Sequence, residues 1–172
     1  MSKQLKPLVV FSHGKETGPS GRKILKLREM AEAAGAETVS IDYTSSMDPE
    51  IRVQKLLNTT LPEHHGLILV GSSMGGYVST VASKVLKPDG LLLMAPAFGL
   101  PGYAELYPVP NATAIAAVHG WLDDVVPVEN VVRWAKDNKI RLVLVDDDHS
   151  LHQEVATVGQ LMVSMIQKLV AN

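Results

Sequence analysis

The chain has 172 residues, 46% of them hydrophobic and 20% charged, and its 16 Lys and Arg against 18 Asp and Glu leave a formal charge of −2. So small a charge gives no electrostatic footprint for nucleic acid or an anionic membrane, which need clustered Lys and Arg to displace counterions. Zero Cys removes thiol nucleophiles and thiolate metal sites, and the length predicts one domain over residues 1–172 with a core that folds without staples.

Met1 to Phe11 carries two lysines and one short apolar run, Leu8-Val9-Val10-Phe11. That is too short for a signal or membrane segment, so a cytoplasmic protein with no membrane or nucleic-acid partner is expected. Pro7 to Phe11 is the first predicted strand, and Gly21 to Ala34 the first helix. Thr38 to Asp42 follows as a strand, then Asp48-Pro49-Glu50 opens a helix with a capping carboxylate, a proline at the first helical position and an acid in the first turn. That helix runs to about Thr60, before Pro62. Gly66 to Val70 is a strand, Met74 to Leu86 a helix, and Gly90 to Met94 a strand. Ala95 to Asn111 has four prolines and no helical period, so it reads as a long loop of the kind that often carries function. Ala114 to His119 is a strand, Val128 to Asn138 a helix and Arg141 to Val145 a strand. Ser150 and Gln153 have capping-box spacing ahead of a helical apolar stripe from Leu151 to Leu169. Short Val/Ile/Leu runs alternating with helices predict an α/β three-layer sandwich, a mostly parallel sheet of about six strands with helices on both faces.

Gly71-Ser72-Ser73-Met74-Gly75 contains Gly-x-Ser-x-Gly between a predicted strand and a predicted helix, the context of a nucleophile elbow. Such a turn brings the chain so close to itself that side chains two before and two after the nucleophile clash, which Gly71 and Gly75 avoid. Ser73 then stands at a helix N-terminus, where free N–H groups favour negative charge. His119-Gly120-Trp121-Leu122-Asp123-Asp124 puts an acid, at 123 or 124, in a loop at the carboxyl edge of the sheet. Asp148-His149 follows the last strand on the same edge, where sites in open parallel sheets are built. Ser, Asp, His is the chain order expected for this elbow.

Phe11-Ser12-His13-Gly14, the Gly71 to Gly75 elbow, the His119 to Pro127 loop and Asp148-His149 together resemble the α/β-hydrolase superfamily. The likeness spans the chain and lies near the small, lidless, dienelactone-hydrolase-like bacterial serine hydrolases. It implies a catalytic Ser73, a base His149 and, by the family's spacing of four residues after the histidine, Asp123 as the acid. It also implies that the backbone N–H groups of Met74 and Lys15 receive the oxyanion. The activity so implied is hydrolysis of a small acyl substrate, an ester or thioester, through an acyl-enzyme and with no cofactor or metal. Asp124 is then expected to cap the helix that Pro127 opens, and Phe98, Leu100, Tyr103 or Tyr107 to wall a shallow, open acyl pocket. The chain departs from the family in lacking its antiparallel N-terminal strands and in the charged Lys15-Glu16 pair.

The other polar residues read more plainly. His13 and His119 each precede a glycine at a strand end and are expected to be structural hydrogen-bonding groups, and His64-His65 to be solvated. Asp146, Asp147, Asp148, His149 and His152 are adjacent on an extended segment and cannot all converge on one ion. Gly18 to Lys23 lacks phosphate-loop spacing. Two rival readings share the strand rhythm: a non-catalytic binding or scaffold protein of the same fold, and a flavodoxin-like domain.

Overall fold

Six strands and five helices alternate along the computed structural model, which describes residues 4–171. They are β1 (Leu8–Ser12), α1 (Arg22–Ala33), β2 (Glu37–Ile41), α2 (Pro49–Asn58), β3 (Leu67–Ser72), α3 (Met74–Leu86), β4 (Gly90–Met94), β5 (Ala114–Gly120), α4 (Val128–Asn138), β6 (Arg141–Val145) and α5 (Val155–Val170). The strands form one sheet in the order β2-β1-β3-β4-β5-β6, every pairing parallel. The order reverses at β1, whose neighbours are β2 and β3, and there the loops after β1 and β3 diverge to leave a crevice.

Alternation along the strands builds the two buried layers. Leu8 and Val10 of β1, Leu67 and Leu69 of β3, and Leu91 and Leu93 of β4 face α2, α3 and α4. Val9, Phe11, Ile68, Val70, Leu92 and Met94 face α1 and α5 through Ile24, Leu27, Val158, Met162 and Ile166. Each such side chain contributes roughly 1.5 to 3 kcal/mol of transfer free energy, which is why these central strands read as unbroken apolar runs. The predicted bounds of β4, β6, α3 and α4 are met, and the Ala95 to Asn111 stretch carries no helix or strand.

Helix starts divide by the origin of their caps. At α2 the Asp48 carboxylate accepts from the Glu50 and Ile51 N–H groups at 2.8 and 3.3 Å, with Pro49 leading the helix, as its sequence predicts. At α5 the expectation fails: the helix begins at Val155, and Ser150 caps nothing. The buried Asp147 carboxylate instead accepts from the N–H groups of Gln153 and Glu154, at 2.9 and 3.2 Å. The four residues between are held irregular by a left-handed, fully buried Leu151 (φ 53°) and by Asp148, which accepts from the Ser150 N–H. Asp124 does not cap α4 either, since Pro127 occupies the N-cap position and no side chain caps it.

Gly120 ends β5 opposite Val145 of β6. A Cβ there would collide with the Asp147 carbonyl oxygen, so only glycine lets the loop after β5 close against the loop after β6. That contact brings residues 123 and 149 together.

Candidate active site

Ser73 leaves β3 and enters α3 with φ 54° and ψ −116°, a strained conformation for a residue with a side chain. The surroundings hold it there. Its N–H donates to the Met94 carbonyl at 2.9 Å, and its carbonyl accepts from Ala97 and Gly76 at 3.0 and 2.9 Å. A Cβ on Gly71 would meet the Gly75 carbonyl, and one on Gly75 the Ser12 carbonyl, so the turn packs against β1 as well as against itself. Ser73 is thereby lifted above the sheet edge.

His149 stands in the loop after β6 with one nitrogen toward each partner. Its Nε2 lies 3.0 Å from Ser73 Oγ and its Nδ1 2.7 Å from Asp123 Oδ2. With Asp123 ionised, Nδ1 carries the proton and Nε2 is free to accept the serine hydroxyl proton. The loop is pinned from outside by Lys23 Nζ, which donates to the Ser150 carbonyl at 2.7 Å. Burial pulls the Lys23 amine down to about 8, against the opposing field of Asp147 and Asp148.

The Asp123 side chain is inaccessible to solvent and saturated with donors. Oδ1 accepts from the Val125 and Val126 N–H groups at 2.9 and 2.8 Å, Oδ2 accepts from His149, and His119 Nε2 approaches Oδ2 at 3.2 Å without donating to it. Burial pushes its carboxyl up, but the His149 and backbone donors outweigh that and hold it below the ordinary value. His119 Nε2 also approaches the Val126 carbonyl at 2.9 Å, and its Nδ1 meets no partner. It is therefore the neutral Nε2–H form, kept so by burial, which lowers its pKa. Of the two adjacent acids only Asp123 faces His149, and the exposed Asp124 lines the cavity outside.

The loop after β1 closes the other side. Where a Gly14 Cβ would sit is 3.7 Å from Ser73 Cβ, and Lys15 lines the same cavity as Ser73 and His149. Among the described residues neither the Lys15 nor the Met74 backbone N–H has an acceptor within the chain, the latter because it opens α3.

Among solved structures, a candidate hydrolase of the α/β superfamily from Xanthomonas campestris pv. campestris matches with a TM-score of 0.84 and 30% identity, over 94% of this chain and 99% of that one. The chain belongs to the α/β-hydrolase superfamily. Est1E from Butyrivibrio proteoclasticus has the same fold at a TM-score of 0.80 and 18% identity, over 99% of this chain and 90% of that one. So does XC6422 from Xanthomonas campestris, described as an α/β serine hydrolase without lid, at 0.69 and 18%, over 95% and 82%. No family model and no curated protein matches the sequence.

In this α/β hydrolase Ser73 and His149 open onto a cavity of about 980 Å³. Its lining includes the apolar Ile24, Ala97, Leu100, Pro101, Tyr103 and Val125 together with the charged or titratable Lys15, Glu16, Arg22, Lys23 and His152. Of the aromatic wall residues predicted, Tyr103 is present, whereas Phe98 is buried against Trp134 and Tyr107 stacks with Arg133. The acidic run at 146–148 is dispersed as its spacing predicts, since Asp147 holds the start of α5 and Asp148 holds Ser150. Two partners escaped the sequence reading: His119 beside Asp123, and Arg52 beneath the loop after β1. The signal for Arg52 was present, because it lies one turn before Leu56 on the buried stripe of α2, where a cation is out of place.

Proposed function

We propose that the protein is a serine hydrolase that cleaves a small carboxylic ester or thioester through an acyl-enzyme on Ser73. The observation that carries this reading is the unbroken hydrogen-bonded relay from Ser73 through His149 to Asp123 on the carboxyl edge of the sheet. Ser73 Oγ attacks the carbonyl carbon as its proton passes to His149 Nε2. The resulting oxyanion accepts from the N–H groups of Met74 and Lys15. His149 then gives the proton to the leaving alcohol or thiol, and the acyl-enzyme forms. Water enters, loses a proton to the same nitrogen, and releases the acid with Ser73 restored. Asp123 keeps the Nδ1–H tautomer and stabilises the imidazolium.

The cavity favours short acyl groups. Charged or titratable Lys15, Glu16, Arg22, Lys23, Asp124, Asp148 and His152 share the lining with its apolar residues, so a long acyl chain would meet charge as well as apolar surface. The test is a p-nitrophenyl and thioester series of rising chain length with Ser73→Ala as the blank, together with a fluorophosphonate label located by mass spectrometry. Rates should peak at short acyl groups, vanish in Ser73→Ala, and the label should fall on Ser73 alone among the twelve serines. An adduct on Ser72, or turnover that survives Ser73→Ala, overturns the reading.

A further inference from the structure

Arg52 sits on α2, is 1% exposed, and forms no ion pair among the described residues. Its guanidinium is spent on backbone carbonyls: Nε donates to Ser46 at 2.7 Å, Nη1 to Gly14 at 2.9 Å and Nη2 to Lys15 at 3.0 Å. The Tyr43 ring lies 5.7 Å away on another side. A buried cation held only by neutral dipoles is costly, and an apolar side chain would pack α2 more cheaply. Nε holds the loop that leads into α2, and both Nη atoms hold the loop that follows β1.

The geometry of that grip has a direction. The Gly14 carbonyl accepts from Arg52 and also from His13 Nδ1 at 2.8 Å, while His13 Nε2 accepts from the Tyr43 N–H at 2.9 Å. In a planar trans peptide the carbonyl and the following N–H point opposite ways, and no described peptide is cis. Pulling the Gly14 oxygen toward Arg52 therefore turns the Lys15 N–H away from the buried guanidinium. Gly14 and Lys15 line the cavity and Arg52 does not, which is the arrangement that an N–H aimed at the site requires.

We infer that Arg52 is a positioning residue for the oxyanion site: its guanidinium locks the Gly14–Lys15 peptide with the N–H aimed above Ser73, and its charge polarises that peptide toward a developing anion. The inference rests on the hydrolase reading above and deepens it. Because the donor acts on the transition state and not on the bound ester, its loss should appear in kcat and leave KM in place.

The experiment compares wild type, Arg52→Gln and Arg52→Lys in steady-state ester hydrolysis, boronic acid inhibition and thermal melting. Arg52→Gln should lose about 10²-fold in kcat, the scale of one oxyanion donor, with KM within about threefold and boronate affinity falling in the same proportion as kcat. Arg52→Lys keeps the charge but lacks the fork that grips two carbonyls, and should recover part of the loss while melting near wild type. Wild-type kcat and boronate affinity in both variants overturn the role of Arg52 and leave the hydrolase reading intact. So does a loss in kcat that disappears when activity is scaled to the folded fraction. A wild type whose hydrolysis is unchanged by Ser73→Ala removes the hydrolase reading, and this inference with it.

Discussion

At the scale of single residues, Asp123 and Asp124 are chemically identical neighbours with different surroundings. Asp123 accepts three hydrogen bonds in a solvent-free pocket, one of them from His149, whereas Asp124 is exposed and neither caps α4 nor meets the imidazole. Asp123→Asn replaces an oxygen facing the Nδ1–H with an amide and favours the wrong tautomer, so kcat should fall about 10⁴-fold. Asp124→Asn should keep most activity and melt within the ±0.5 kcal/mol usual for surface changes. Kinetics and melting curves of the two variants side by side decide this, and an inactive Asp124→Asn beside an active Asp123→Asn would assign the acid to the wrong residue. The choice between the two was legible only through the family's spacing. The approach of His119 to Asp123 was not legible, because it depends on how β5 and its loop curl back in space.

At the scale of elements, local signals were read well and distant ones were not. Asp48-Pro49-Glu50 marks the start of α2 because a cap two residues from its donors is written in adjacent positions. The start of α5 depends on Asp147, which reaches forward six and seven residues to Gln153 and Glu154, a distance that the irregular turn through Leu151 closes. Ser150 and Gln153 imitate a capping box in the sequence, yet Ser150 Oγ pairs with Asp148. Asp147→Ala should therefore destabilise by about 0.5 to 2 kcal/mol by removing the acceptor that caps the start of α5, and should lower activity by loosening the loop that carries His149. Ser150→Ala should stay within about 0.5 kcal/mol of wild type. Urea denaturation measures both, and an equal cost at the two positions would restore Ser150 as the cap. The strands needed no such reach: β1, β3 and β4 are apolar runs because both their faces are buried, and the half-buried edge strands β2 and β6 were still marked by their β-branched and aliphatic residues.

For the molecule as a whole, the buried histidines set an acid limit on the fold. His13 and His119 are both inaccessible, and burial lowers the pKa of each. On unfolding they return to about 6.5. Below that pH the unfolded chain binds protons that the native one refuses, so stability falls as pH drops from about 6.5 toward the lowered native values. Asp123, also held low, adds a second loss below about 3.8. Urea midpoints should change little from pH 7 to 7.5, decline below about 6.5, and decline less steeply in His119→Gln. Equal midpoints at pH 7.5 and 5 would contradict this.

The all-parallel sheet has a further consequence in time. Among the described residues no strand pairs through a hairpin, and Ser73 precedes His149 by 76 residues while Asp123 precedes it by 26. A chain emerging from the ribosome thus carries Ser73 long before β6 arrives at the sheet edge to deliver His149. Throughout that interval the serine is an ordinary alcohol, and the growing polypeptide cannot acylate itself or attack nearby metabolites. On the proposed mechanism the centre becomes reactive only when β6 docks, so fluorophosphonate labelling of a stalled-chain series would serve as a clock for the last step of sheet assembly.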